Sequence, residues 1–303
     1  MKKSIKILGL TMLILVSSIL IYGTKKESAI DDNDINTSET YQIKALKVPA
    51  VLTLAGERVP IEKSDIKERI DRELLVNTYW QSNGLLLFKR AHKYFPVIEP
   101  ILKKNGIPND FKYLAVIESG LQNVTSPAGA KGFWQIIKST ALENGLEVNG
   151  NIDERYHLEK ATQVACNYLK KANERFGSWT LAAAAYNAGN LGIDKKIETQ
   201  QVNNYYDLLL VEETARYIPR IVAVKEILSN PKKYGFLFEE EDLYNLQPTT
   251  LIEVDTAITD IARFSKNFDI NYKILKRHNP WLRENKLNNK SRKKYQIKIQ
   301  KEL

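Results

Sequence analysis

The sequence predicts a mainly helical protein that ends in a small β-α-α-β module. Between residues 60 and 230, apolar residues recur three and four apart and strand signals are few. From residue 248 the pattern changes. Two alternating segments, Thr249–Val254 and Tyr295–Ile299, bracket two short helical stretches. The 303 residues suffice for a sizeable core and two modest domains. Hydrophobic residues at 43% and charged residues at 27% exclude a disordered or collagen-like chain.

The elements follow in chain order. Lys2, Lys3 and Lys6 precede an apolar run of 16 residues from Ile7 to Tyr22, which reads as the n-region and h-region of a signal peptide or as a membrane anchor over residues 1–23. The chain is therefore expected to be exported, cleaved or membrane-anchored. Residues 24–62 read as a linker and N-terminal segment, acid-rich at Asp31-Asp32-Asn33-Asp34, with β-like runs around Gly56. Ile66, Ile70 and Leu74, then Leu85, Phe88, Ala91, Tyr94 and Phe95, give helical spacing up to Asn105. A short helix is expected over 107–120 and a Gly- and Ser-containing loop over 121–138. A strong helix follows over 159–176 with Gly177 as its stop, and another over 180–187 closed by Gly189. A last helix over 211–229 is expected to bend near Pro219. The helical domain is placed at 63–235 and the module at 248–303.

Charge separates along the chain. The total is 45 Lys and Arg against 36 Asp and Glu, and residues 273–303 alone hold 11 against 2, so the excess of +9 sits in the tail. Such a tail suits an anionic polymer, a membrane surface or nucleic acid; the export segment argues against nucleic acid. The one cysteine, Cys166, lies in a helical setting and excludes an intrachain disulfide and a Cys-rich zinc site. With three scattered histidines, no metal and no other cofactor is expected.

Three places could carry chemistry. Phe111, Leu114, Ala115 and Glu118 share one helical face, so a carboxyl ends an apolar stripe just before Ser119-Gly120. Burial against apolar groups raises a carboxyl's pKa and lets it donate a proton near neutrality. The loop Ser126-Pro127-Ala128-Gly129-Ala130-Lys131-Gly132-Phe133-Trp134-Gln135 offers close backbone approach at Gly132, flat apolar rings and an amide. Ala185-Tyr186-Asn187-Ala188-Gly189 sets two hydrogen-bonding side chains at a helix end.

In this order and spacing, Glu118-Ser119-Gly120, Gly129 to Gln135, Ala185 to Gly189, and Glu213-Thr214-Ala215-Arg216-Tyr217-Ile218-Pro219-Arg220 resemble the motifs of the lytic transglycosylases of the lysozyme-like superfamily, glycoside hydrolase family 23. The resemblance implies a lysozyme-like (SLT-type) catalytic domain that cleaves peptidoglycan glycan strands. It makes Glu118 the single catalytic residue, acid and then base, while the sugar's own C6 hydroxyl attacks C1 and leaves a 1,6-anhydromuramoyl end. Ser119, Ser126, Gly132, Phe133, Trp134, Gln135, Tyr186, Asn187 and Tyr217 are the implied substrate-binding set. Two stretches depart from the family pattern: Asn190-Leu191-Gly192-Ile193-Asp194 lacks a glycine-rich continuation, and Tyr156-His157-Leu158 stands where an acid and proline are usual. Residues 255–262 and 275–282 resemble a diverged LysM module, which implies glycan binding. The module is expected to act as a tether whose removal spares the cleavage of short soluble glycans. Two other readings remain open: a muramidase using Asp153 or Glu154 as a second carboxylate, and a catalytically silent peptidoglycan-binding scaffold.

Overall fold

A computed structural model describes residues 43–301; the expected export segment and nearly all of the acidic stretch that follows lie outside the described residues. The described chain opens with a tight hairpin, β1 (Thr53–Leu54) against β2 (Glu57–Arg58), turned at Ala55 and Gly56, both at positive φ. Two helices follow: α1 (Ser64–Tyr79) buries Ile66, Ile70 and Leu74, and α2 (Gln81–Lys104) runs on through Pro96 and Pro100. The helix expected over 107–120 begins as a short 3-10 turn, Asn109–Phe111, and becomes α-helical only as α3 (Lys112–Ser119). Gly120, at φ +59°, ends it in the left-handed conformation that glycine adopts readily.

Beyond the loop come α4 (Lys138–Glu143), α5 (Leu158–Phe176), α6 (Trp179–Ala188) and α7 (Asn190–Gln200). Sequence periodicity does not single out α4 or α7. The first has only 6 residues, and the second buries Ile193 alone. The last expected helix is two, α8 (Glu212–Ala215) and α9 (Tyr217–Ser229), and the break falls at Arg216 rather than Pro219. Pro219 sits in the first turn of α9, where a missing N–H leaves no helical bond unmade. Helix α9 buries Ile218, Ile221, Val222, Ala223, Val224 and Ile227 and packs against α1, α3 and α6, which makes it the axis of the helical core.

The C-terminal module is β3 (Thr249–Val254), α10 (Ile261–Lys266), α11 (Tyr272–His278) and β4 (Tyr295–Gln300), with the strands antiparallel and Ile252 opposite Ile297. Its hydrophobic core, built from Ile261, Leu275, Trp281, Leu282, Leu287 and Ile297, also contains Ile152 and Tyr156 from the segment before α5. Backbone bonds cross the same seam: Asp153 N donates to Trp281 O at 2.9 Å and Arg283 N to Asn151 O at 2.9 Å. Asn151 adds a third connection, its Nδ2 donating to Lys286 O and its Oδ1 accepting from Asn288 N. A freely tethered module does not share its core. The module and the 147–159 segment are therefore one packed structure.

Candidate active site

Glu118 occupies the last turn of α3, at the end of the apolar face that buries Phe111, Leu114 and Ala115. Its carboxyl accepts a hydrogen bond from the Tyr217 hydroxyl. Tyr217 is the first residue of α9 and is itself buried, so the break at Arg216 aims this hydroxyl at the glutamate. Burial pushes the Glu118 carboxyl from 4.5 up to about 7, against the Tyr217 hydrogen bond and the Arg220 charge, while the charge of Glu213 pushes it further up. A carboxyl in that range is protonated for a fraction of the time at neutral pH and exchanges its proton in either direction.

The 121–138 loop is folded by its own backbone and by three anchors. Ser126 closes its first turn, its Oγ accepting from Ala130 N at 3.1 Å. Ser119 Oγ donates to Phe133 O at 2.8 Å, and the Tyr186 hydroxyl donates to Trp134 O at 2.7 Å. Beneath the loop, Arg155 donates to Gly129 O and Ile136 O while its guanidinium is held by both carboxylate oxygens of Asp153. Gly132 lies directly on this arginine: a Cβ there would stand 2.2 Å from Arg155 O. Its glycine is required by protein backbone at that point. Gln135, at φ +46°, turns its Nε2 back to Gly132 O at 2.7 Å and Val124 O at 3.2 Å.

Four of the implied site residues gather near the glutamate. Tyr217 bonds it, and Tyr186 is close enough for the Glu118 charge to help raise its phenol, after burial. Gln135 shares a small cavity wall with Tyr186. Asn187 lies one residue further along α6; its Oδ1 accepts from Thr214 Oγ1 at 2.8 Å and its Nδ2 donates to Glu213 Oε1 at 3.2 Å. Others are placed elsewhere. Trp134 is 0% exposed, with its Nε1 donating to Thr162 Oγ1, and Phe133 is 4% exposed against Tyr94. Both rings are packed into the core, and Phe133 also reaches the wall of a cleft. Ser119 is buried, with its hydroxyl spent on Phe133 O, and acts by pinning the loop to α3.

Several positioning residues carry no motif. Glu73, buried in α1, accepts from Arg216 Nε at 2.7 Å and sits 3.9 Å from Arg220 Nε. It thereby fixes the start of α9 and the arginine whose charge reaches Glu118. Glu73 continues the stripe Ile66, Ile70, Leu74, the same signal that singles out Glu118. Glu57 of the hairpin accepts from Thr180 N at 2.9 Å and so caps the helix that carries Tyr186. Asp153 and Glu154, the carboxylates a muramidase reading invokes, are both buried and engaged. Asp153 holds Arg155, and Glu154 accepts from Glu147 N at 2.8 Å and pairs with Lys160. The acid whose charge reaches Glu118 is instead the exposed Glu213.

Comparison with known proteins identifies two domains in the chain. Residues 95–209 match the transglycosylase SLT domain, and residues 250–302 match the soluble lytic transglycosylase C-terminal LysM-like domain. Over 180 residues the chain is 34% identical to membrane-bound lytic murein transglycosylase D of Escherichia coli K12, and equally to that of Escherichia coli O6:H1, covering 57% of this chain and 39% of each relative. The chain thus spans about two fifths of the length of the curated relatives it matches. The helical region around Glu118 is accordingly a transglycosylase SLT domain, and the chain joins it to a LysM-like domain of the soluble lytic transglycosylase type.

Proposed function

We propose that this chain is a peptidoglycan lytic transglycosylase that cleaves the β-1,4 bond between N-acetylmuramic acid and N-acetylglucosamine. The observation that carries the reading is a single carboxyl raised to about 7, hydrogen-bonded by a buried tyrosine, at the edge of a braced loop. Protonated Glu118 gives its proton to the glycosidic oxygen as the bond to C1 breaks. The C6 hydroxyl of the same muramic acid then bonds to C1, and Glu118 takes the hydroxyl proton. Acid and base are regenerated in one residue, and the product is a 1,6-anhydro end. No second carboxylate and no cofactor enter this sequence. Tyr217 holds the carboxyl; Gln135, Tyr186 and Asn187 border the place where the sugars lie.

The proposed substrate is the glycan strand of peptidoglycan, with the catalytic domain over residues 63–235 and further glycan contacts from residues 248–303. The proposed location is the periplasmic face of the bacterial envelope, with residues 1–23 as leader or anchor and no nucleic acid as partner. A water-dependent muramidase has one observation in its favour, the Glu213 charge that faces Glu118. Mass spectrometry of muropeptides released from purified sacculi separates the readings. Wild type is expected to give anhydro ends, and Glu118→Gln none. Reducing ends lost on Glu213→Gln would establish the hydrolase. Full activity of Glu118→Gln would remove both.

A further inference from the structure

A cleft of about 560 Å³ runs along the seam between α2, the loop after Glu118 and the C-terminal module. Its charge is one-sided. Arg90 and Lys93 project from α2, and Arg277 comes from α11 of the module. Among the described residues none of the three has an ion-pair partner; Arg90 Nη1 donates only to Gly120 O at 3.2 Å. The one carboxylate lining the cleft, among the described residues, is Glu159, which is already engaged by Lys298 and His157. Lys93 is held below its ordinary value, by burial first and then by the Arg277 charge. Cations from two elements therefore face each other with no anion between them. A carboxylate or phosphate placed between them relieves their mutual repulsion.

The cleft begins close to the end of the helix that carries Glu118. Leu121 and Gln122, three and four residues after Glu118, line it, and Arg90 bonds the carbonyl of the helix-ending Gly120. In peptidoglycan, muramic acids carry short peptides with free carboxylates. We propose that this cleft binds a carboxylate of that peptide, held by Lys93 and Arg277 across the seam, so that the C-terminal module helps to read the peptide attached to the strand being cut. This rests on the transglycosylase reading for the identity of the ligand. Apolar Leu246 and Pro280 on the same wall suit the alanine methyl groups of such a peptide better than they suit a bare inorganic anion.

The test is calorimetric titration of the full chain with the free tetrapeptide L-Ala-γ-D-Glu-L-Lys-D-Ala, which needs no turnover. Wild type is expected to bind it. Lys93→Gln combined with Arg277→Gln is expected to weaken binding by about tenfold or more, as loss of charge-assisted contacts implies. Amidating the peptide carboxyls should weaken binding similarly, and Arg277→Lys alone should retain it. Equal affinity in wild type and the double variant, or binding of inorganic phosphate without binding of the peptide, overturns the proposal. A second arm compares cleavage of peptide-bearing and peptide-free glycan strands. The double variant should lose kcat/KM on the first and keep it on the second; equal loss on both counts against the proposal. Peptide binding without any anhydro product would instead fail the transglycosylase reading alone.

Discussion

Replacing Glu118 with glutamine is expected to stop catalysis and, above neutral pH, to make the fold more stable. The Glu118 carboxyl rises from 4.5 to about 7 in the folded chain because burial penalises its charged form. At about 1.36 kcal/mol per pH unit, that shift corresponds to roughly 3 kcal/mol of lost stability once the group is ionised. Glu118 keeps part of its surface open to water; solvent screening lowers the figure to about 2 kcal/mol. The sign follows from linkage. The folded value lies above the unfolded one, so the full stability is present below about pH 4.5 and declines as pH rises toward 7. Glutamine has the shape of the neutral acid and does not titrate. For a chain of this size 1 kcal/mol moves Tm by about 2–4 °C. The variant should therefore melt roughly 4–8 °C above wild type at pH 8 and close to it at pH 4. Thermal melts of both proteins across that range are the assay. An equal difference at every pH, or a variant less stable than wild type at pH 8, refutes the account of Glu118 as a desolvated acid.

Further expectations concern its surroundings. Tyr217→Phe removes a hydrogen bond that favours the carboxylate; a bond of this kind is worth about 1.5–3 kcal/mol, so the basic limb of the pH–rate profile should move up by about 1–2 units, and a downward move counts against the assignment. Gly132→Ala should unfold or inactivate the loop through collision with Arg155 O, while Gly129→Ala, with open space around its Cβ, should cost only about 1–2 kcal/mol from its positive φ; equal melting temperatures for the two would contradict the close approach. Asp153→Asn breaks a buried ion pair and should cost about 3–5 kcal/mol in denaturant unfolding, with anhydro ends still formed by whatever folds; a switch to reducing ends would give Asp153 a chemical role. Deleting residues 248–303 uncovers Ile152 and Tyr156, each worth about 1.5–3 kcal/mol when buried, and should lower Tm and the cleavage of short soluble glycans together; undiminished cleavage would restore the simple tether.

What was legible in the sequence depended on range. Helices with a full apolar stripe, such as α5 and α9, were readable because burial repeats every three or four residues. Glu118 was readable because it interrupts such a stripe. The split at Arg216 was not, since it is set by the buried Glu73 some 140 residues earlier, which holds Arg216 Nε. Trp134 shows the same limit. A tryptophan beside glycine and phenylalanine looks like a ring offered to a sugar, and only Thr162, on a helix not yet formed at that point of the chain, reveals it as core. The docking of the module was equally hidden. Ile152 and Tyr156 are isolated apolar residues in a polar stretch. Yet Tyr156-His157 is one of the two places where the sequence leaves the family pattern, and there Arg283 lies 4.3 Å from the Tyr156 ring centroid while Trp281 faces His157.

The shared core at Ile152 and Tyr156 also sets an order of events during biosynthesis. Every motif residue, from Glu118 to Tyr217, leaves the ribosome before the segment that completes the support of Arg155 and its loop. Residues 279–300 supply Trp281, Arg283 and Tyr295 to a region more than 120 positions upstream, and loop closure over such a span must precede the contacts that reward it. A nascent chain that has reached residue 247 holds the acid and its tyrosine but lacks the far side of the brace. The arrival of the last strand is what completes the packing around Ile152 and Tyr156.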